Sequence, residues 1–360
     1  MHKVLGFFSK CLAVVTILVI ILTHLVFSNS WVLGFLMIGL PIAVILNVIA
    51  IAYWSIFDAK RIVLPLLACL CSLTLLSRTF QFQANTTASR GNDQENVFKI
   101  LNYNVSGFVT PFHGEQRNKV RLEMVNWLID YQADILCMPE YFSHHARFNV
   151  SQMLREEGYK YSVLTNKARN SDKSLILGLG IFSKYPIVYS KEKVFEMQNG
   201  LLLADVKIKK DTVRVIAVHL HSMTLSLYTL RSQRELSGFK REGMDTFRRM
   251  RDGFIRRGQQ YDLLAQWIRD SPYPVVVCGD FNETPSGSAY RRTRRLLRNA
   301  FEEAGSGWGY TFNKLPYFIR IDHQFYDDRR LELLDFKTDQ SVKYSDHYPL
   351  SGTYSIKKPN

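Results

Sequence analysis

The stretch PVVVCGDFN at residues 274–282 decides how the rest of the chain is read. Pro274–Cys278 offers four apolar, β-favouring side chains between turn residues, which predicts a short strand buried on both faces. Gly279, Asp280 and Asn282 then stand where the strand gives way to a loop. A sheet fixes a side chain at such a place while the loop admits a ligand. The same construction recurs along the chain. Asn104 ends KILNYNV, Glu140 follows ADILCMP, and His219 and His221 close VRVIAVHLHS. Asp322 and His323 lie in FIRIDHQFY, and Asp346 and His347 in YSDHYPL. A single Asp after a strand is usually a turn or cap residue. Several carboxylates, two amides and several imidazoles at strand ends are instead an inventory for a hard cation and a phosphate, since Mg²⁺ takes oxygen ligands and completes its shell with water and phosphate.

Strand-like and helix-like segments alternate around these sites. Strands are expected at Val97–Val105, Asp134–Met138, Tyr159–Leu164, Ile176–Phe182, Leu201–Ile208, Val213–Leu220, Arg320–Tyr326 and Leu350–Ile356. Helical spacing appears over Asn118–Tyr131 and Phe247–Arg269, and Thr284-Pro285 reads as the cap and first turn of a further helix. Residues 97–360 therefore form one mixed α/β domain of about 260 residues.

The chain has 360 residues, 47% hydrophobic and 22% charged, which excludes a mostly disordered or rod-like protein. The polarity is unevenly distributed. Residues 1–80 hold one acid, Asp58, and three apolar runs, Cys11–Phe27, Trp31–Trp54 and Ile62–Leu76, free of Asp, Glu, Lys and Arg. Residues 1–80 are expected to be a membrane anchor of three transmembrane helices in contact with the lipid bilayer. His24 and Asn47, polar intruders in these runs, are expected to serve helix–helix hydrogen bonding or interface placement. Lys3 and Lys10 before the first run, and Lys60 and Arg61 after the second, put those ends in the cytoplasm. Three crossings then place the catalytic domain outside it, in the periplasm of a bacterium with the anchor in the inner membrane; if the third run does not span, the side reverses. A polar linker is expected at 81–96, with NTTASRGNDQEN at 85–96. Five sparse Cys residues form no disulfide framework or Cys-x-x-Cys pair, and Cys137 and Cys278 read as small core residues.

The ordered set NYN, PE, HL, GDFN, ID and SDH resembles the endonuclease/exonuclease/phosphatase superfamily, the deoxyribonuclease I-like fold, from Phe98 to Tyr354. The whole layout resembles membrane-anchored bacterial members. The resemblance implies a four-layer α/β sandwich, two mixed β-sheets face to face with helices outside, and hydrolysis of a phosphoester with Mg²⁺ or Mn²⁺. It implies Glu140 as principal metal ligand with Asn104 beside it and Asp346 as the second metal-side carboxylate. Asp280 would orient or deprotonate the attacking water, and Asn282 would hold the phosphate or that nucleophile. His347 would contact the scissile phosphate, oriented by Asp322. His219 is preferred to His221 as the imidazole of the HL position, and His221 stays a candidate substrate contact. His323 departs from the aromatic residue of many members and reads as packing.

Two basic runs remain: Arg231 to Arg257, and Arg291, Arg292, Arg294, Arg295 and Arg298. They are expected to be either a positive rim for a polyanion, with Arg291 and Arg292 touching substrate, or solvated or lipid-facing surface. The expected activity is phosphodiester hydrolysis on an anionic substrate, nuclease-like, with a phospholipid or sphingomyelin phosphodiesterase or an inositol-phosphate phosphatase as the alternative. A catalytically inactive anion-binding membrane module is the alternative of another class. No obligate protein partner is expected.

Overall fold

The computed structural model describes residues 2–25, 30–82, 96–109, 114–144, 147–165, 175–196, 198–222, 236–314 and 319–358. Most of the expected linker, residues 83–95, and Arg231 and Arg234 of the first basic run lie outside them. The chain divides into two compact units. One holds the residues up to Phe80 together with 236–258 and Pro285–Arg292, and the other holds the rest. Two segments placed by sequence in the domain 97–360 thus group with the N-terminal helices.

The larger unit contains two six-stranded sheets. The first has the order β11-β12-β1-β2-β4-β3, from β1 (Val97–Asn102), β2 (Ile135–His144), β3 (Tyr161–Leu164), β4 (Leu175–Ser183), β11 (Leu331–Thr338) and β12 (Leu350–Ile356). The second has the order β5-β6-β7-β8-β10-β9, from β5 (Ile187–Val194), β6 (Gly200–Ile208), β7 (Asp211–His219), β8 (Val275–Asp280), β9 (Arg298–Asn299) and β10 (Asp322–Tyr326). Each sheet is mixed, with one parallel pair near its centre: β1 beside β2, and β7 beside β8.

The alternation of apolar side chains builds the layers. Ile100, Cys137 and Ile181 of the first sheet share a core with Leu202, Val215 and Cys278 of the second. Leu101 and Leu136, on the opposite face of the first sheet, pack with Met124 and Leu128 of α5 (Gly114–Asp130) and Leu154 of α6 (Val150–Glu156). Beyond the second sheet, the last turns of α7 (Leu236–Arg269) bury Tyr261, Leu264, Ala265 and Ile268. There Arg214 of β7 reaches the carbonyl of Trp267 at 3.5 Å. The result is an α/β sandwich of two mixed sheets flanked by helices. The helix expected from Thr284 instead starts at Ser288, as α8 (Ser288–Arg294), because Thr284–Gly287 makes a loop and turn. Strands β5 and β11 were not anticipated: β5 is an edge strand whose centre, YSKE, is exposed, and β11 has a bulge between Leu333 and Asp335 that breaks its period.

In the smaller unit, α1 (His2–Leu25) and α2 (Trp31–Phe57) are long and apolar enough to cross a membrane. The third run corrects the sequence expectation: two such helices are present among the described residues, not three. Residues Ile62–Leu76 fall across α3 (Val63–Ser72), a 3₁₀ turn at Leu73–Leu75 and the start of α4 (Leu76–Thr79). The ten residues of α3 rise only about 15 Å, half the ~30 Å hydrocarbon thickness. This segmented stretch still runs beside α1. Arg61, just before it, donates to the carbonyl of His2 at 2.8 Å, and Thr74 lies 3.2 Å from His24. Asn47 of α2 donates to Thr16 of α1 at 3.1 Å.

Candidate active site

The larger unit brings six of the singled-out side chains together. In the second sheet the register alone does much of this. His219 stands opposite Asp280 across the parallel β7–β8 pair, and Asp280 stands opposite Asp322 across the antiparallel β8–β10 pair. The three thus form one row at the strand ends. Gly279 makes the row possible: it takes φ +145°, and a Cβ there would lie 2.0 Å from the carbonyl oxygen of Val218.

The first sheet supplies Asn104 and Glu140. Glu140 sits on a bulge of β2 between Met138 and Tyr141, directly after Pro139, with φ +53°. A non-glycine residue in this region costs on the order of 1–3 kcal/mol and persists where surrounding structure enforces it. The bulge turns the carboxylate towards the second sheet's row, 3.6 Å from His219 Nε2. Asn104, two residues past β1, donates through Nδ2 to Glu140 Oε1 and Asp280 Oδ2, both at 3.1 Å. Its Oδ1 accepts the Ser106 N–H. So placed, Asn104 clamps two carboxylates and holds the turn after β1 through its carbonyl oxygen.

Asp280 is the hub. It is buried, its Oδ1 accepts the Asn282 N–H at 2.7 Å, and its Oδ2 lies 3.8 Å from both His219 Nε2 and His347 Nε2. His347 Nδ1 donates to Asp322 Oδ2 at 2.7 Å, and Phe312 packs against the ring. Burial and the neighbouring charge of Asp322 push the Asp280 carboxyl up to about 6, against the pull of His347 and His219. For His347, burial alone would lower the pKa. The charge and hydrogen bond of Asp322, together with Asp280 and Asp346, outweigh it and lift the group to about 10. At neutral pH the site therefore holds an imidazolium beside a carboxylate that takes up a proton at about 6.

The remaining candidates are placed differently. Asn282, at φ +49°, donates its side-chain N–H to the Leu220 carbonyl at 2.9 Å and so ties the loop to the end of β7. Asp346 is half-buried, with Oδ1 3.3 Å from Ser345 Oγ. It belongs to neither of the two close groupings, Glu140–His219–Asp280 and Asp280–Asp322–His347. His221 is aimed elsewhere: its Nδ1 is 4.0 Å from Glu196, while its backbone N–H is held by Gln260 at 2.8 Å. His323 packs as expected, with its ring edge-on to Phe281 and Nε2 on the Glu283 carbonyl; burial and Arg320 push it well below the ordinary histidine value.

Arg291 and Arg292 are the residues that the sequence offers as substrate contacts. Both group with the smaller unit, where Arg291 is buried and donates to the carbonyls of Gly287 and Thr23. The guanidinium there satisfies a carbonyl near the end of α1 that has no partner within its own helix. Arg294 and Arg298 are ion-paired, to Glu302 at 2.8 Å and Asp328 at 3.0 Å. Sequence reasoning also missed Gln198, whose carbonyl lies 3.2 Å from His219 Nδ1, and Ser345, which donates to the Asn104 carbonyl at 2.7 Å. Ser345 was visible beside Asp346 and His347; nothing in the sequence marked Gln198.

The donor set fits a hard divalent cation. Three carboxylates converge, the Glu140 side chain is 28% exposed, and Asp322 Oδ1 is buried without a hydrogen-bond partner.

Comparison with known proteins agrees with this geometry. No curated protein matches the chain. Residues 2–79 match a domain of unknown function (DUF8431). Among solved structures, the catalytic domain of human Nocturnin with bound sulfate is 17% identical, covering 72% of this chain and 95% of that one, with a TM-score of 0.51. An endonuclease/exonuclease/phosphatase from Bacteroides vulgatus is 14% identical over 72% of this chain and 99% of its own, with a TM-score of 0.50. At these identities the likeness concerns the fold. The model of the Endonuclease/Exonuclease/phosphatase family matches residues 101–347, well over half the chain and every residue of the cluster, and the chain belongs to that family.

Proposed function

We propose that this chain is a divalent-metal-dependent hydrolase of phosphodiester bonds. The observation that carries the reading is the buried Asp280 carboxylate, 3.8 Å from two imidazoles, one of them locked to Asp322. A Mg²⁺ or Mn²⁺ ion, held by Glu140 at the accessible side of the cluster, would supply charge neutralisation at the phosphate. Asp280, with a pKa near neutrality, accepts a proton from the attacking water. His347, kept protonated by Asp322, donates to a non-bridging oxygen, and His219 offers a second donor from the opposite side of Asp280. Asn104 holds Glu140 and Asp280 at their separation, and Asn282 fixes the loop after β8.

The substrate is expected to be a nuclease-like phosphodiester. A phospholipid head group is the second reading, favoured by Arg291 being bound to a backbone carbonyl and Arg294 and Arg298 being paired with carboxylates of the chain itself. We also propose that α1 and α2 anchor the chain in a bilayer and that the segmented stretch beside α1, from Arg61 near His2 to Thr74 near His24, carries the chain back across it, which leaves the catalytic unit outside the cytoplasm. Support comes from the basic end, where Lys3 precedes the apolar core and Arg61 meets His2, lying opposite the end that carries Thr23 and Arg291.

The test is hydrolysis by the full chain in detergent of bis-p-nitrophenyl phosphate, plasmid DNA, sphingomyelin and inositol phosphates side by side. Turnover that EDTA abolishes and Mg²⁺ or Mn²⁺ restores is expected. Absence of turnover on every phosphoester with either ion would overturn the reading in favour of an anion-binding module.

A further inference from the structure

The first part of α7 groups with the apolar helices, and its contacts show how it lies on them. Phe247 stacks on Phe35 (ring centroids 4.6 Å apart, 17° between planes) and meets Trp31 edge-on. Phe254 packs against the same Phe35 and presses on Gly34, where a Cβ would lie 2.5 Å from its ring. Phe247 and Phe254 are seven residues apart, about 10.5 Å of helix rise. Both nevertheless rest on the single Trp31–Phe35 turn of α2. Phe35 sits between the two rings, so this part of α7 meets α2 at its first turn.

On its outer side this part of α7 is amphipathic. Met244 is 54% exposed, and Phe247 and Ile255 are each 40% exposed. With Arg251 they follow the spacing 244, 247, 251, 255, which lines one stripe of a helix. Arg248, Arg249 and Arg256 flank the stripe on its exposed side, and Asp245 and Asp252 are the acids of this segment. Arg251 binds Asp252 at 2.9 Å, with its aliphatic stem in line with the stripe.

We propose that residues 243–256 form an interfacial helix that lies in the plane of the bilayer at the α1–α2 turn, with Met244, Phe247 and Ile255 in the acyl boundary and the arginines on anionic lipid phosphates. This rests on α1 and α2 crossing a membrane. The Trp31 end of α2 then sits at headgroup depth, where aromatic residues collect, and the part of α7 that packs on it sits at the same depth. An apolar stripe bordered by arginines is the side-chain arrangement that binds such a surface.

The test uses the full chain in vesicles, with Cys11, Cys69 and Cys71 replaced by Ala; Cys137 and Cys278 are buried and remain. A nitroxide is placed in turn on Met244→Cys, Ile255→Cys, Arg249→Cys and Ile45→Cys, and its accessibility to oxygen and to a water-soluble nickel chelate is measured. The expected result is oxygen-dominated relaxation at 244, 255 and 45, and nickel-dominated relaxation at 249. Replacing phosphatidylcholine with phosphatidylglycerol should deepen 244 and 255 severalfold in accessibility ratio, and added salt should reverse this. Water exposure at 244 and 255 with 45 in lipid overturns the interfacial helix and leaves the anchor standing. Water exposure at all positions overturns the anchor itself. Shielding of 244 and 255 from both reagents means protein covers the stripe and overturns the proposal. In the unsubstituted chain, Met244 oxidation by peroxide should be slower in phosphatidylglycerol than in phosphatidylcholine vesicles; equal rates count against the proposal.

Discussion

The helical unit and the sandwich both bury polar side chains, but they satisfy them over different distances along the chain. Within α1 and α2, Thr16, Thr23 and Asn47 each have a partner one turn away: Thr16 donates to Leu12, Thr23 to Ile20, and Asn47 to Ala43, beside its bond to Thr16. The groups are neutral, and helix geometry alone supplies the acceptor. In the sandwich Asn104 reaches Asp280, 176 positions on, and His347 reaches Asp322 across the register of a different strand. These groups are charged, and they leave Asp280 high and His347 higher still. Local pairing serves the fold. Distant pairing of charge sets up proton chemistry and marks the site.

The comparison breaks first if the charged cluster proves dispensable. Asp280→Ala and His347→Ala should each lower kcat by about 10³-fold or more while the circular dichroism spectrum is retained. A loss under tenfold in either would mean that the cluster is structural. Asp322→Asn keeps the shape and removes the charge that holds His347 protonated. The expected fall in kcat is about 10²-fold. The alkaline limb of the pH–rate profile should move to lower pH, because the imidazolium is now lost before about 10. An unmoved limb would separate His347 from the reaction. Asn104→Leu removes the N–H donors between Glu140 and Asp280, and a loss of tenfold or more is expected, since two carboxylates lose their shared partner.

A subtler effect is thermodynamic. The Asp280 carboxyl titrates at about 6 in the fold and near its ordinary 3.8 when unfolded. Between these values the folded state holds a proton that the unfolded state releases, so stability falls as pH rises through that window. The difference corresponds to roughly 3 kcal/mol. In the EDTA-treated protein, Asp280→Asn should flatten this slope and be the more stable variant at neutral pH. Denaturant midpoints at pH 4 to 7 measure it, and a wild-type curve that rises with pH as steeply as the variant's would contradict the crowding of charge around Asp280. His347 adds a slope of the same sign at higher pH: its stabilisation is full below 6.5 and is lost as pH rises towards 10.

Much of the sandwich was legible because its central strands are uninterrupted apolar runs. VVVC and ILCM announce themselves, and the residues that follow them, Asp280 and Glu140, stand at the cluster. Periodicity failed at the edges, where β5 presents YSKE to solvent and β11 is bulged. It also failed to separate units: Phe247–Arg269 read as one helix of the α/β domain, yet Phe247 and Phe254 pack on Phe35. The arginine runs stayed open between two readings for a related reason. Charge density is visible in sequence, but whether Arg291 faces a ligand or the carbonyl of Thr23 depends on folding. The bulge at Glu140 is of the same kind, for only the adjacent Pro139 hinted at it.

The smallest expected effect is also the sharpest contrast, because it repeats the Asn104 substitution in the other region. Asn47→Leu removes a fully buried amide whose Nδ2 reaches Thr16 and Ala43 and whose Oδ1 has no hydrogen-bond partner. The substitution deletes a neutral hydrogen bond between helices, a contact worth on average about 0.6 kcal/mol in membrane proteins. It also deletes an unsatisfied acceptor, whose burial costs energy. Thr16 is not left without a partner, since its hydroxyl already donates to the Leu12 carbonyl at 2.8 Å. Leu matches Asn closely enough in size to fill the space against α1. The opposing terms should leave the thermal midpoint of the full chain, in a fixed detergent, within the shift that about 1 kcal/mol produces. Catalysis should not change. A large loss of stability would mean that Asn47 sets the pairing of α1 with α2, and that the helical unit, like the sandwich, depends on a contact made far along the chain.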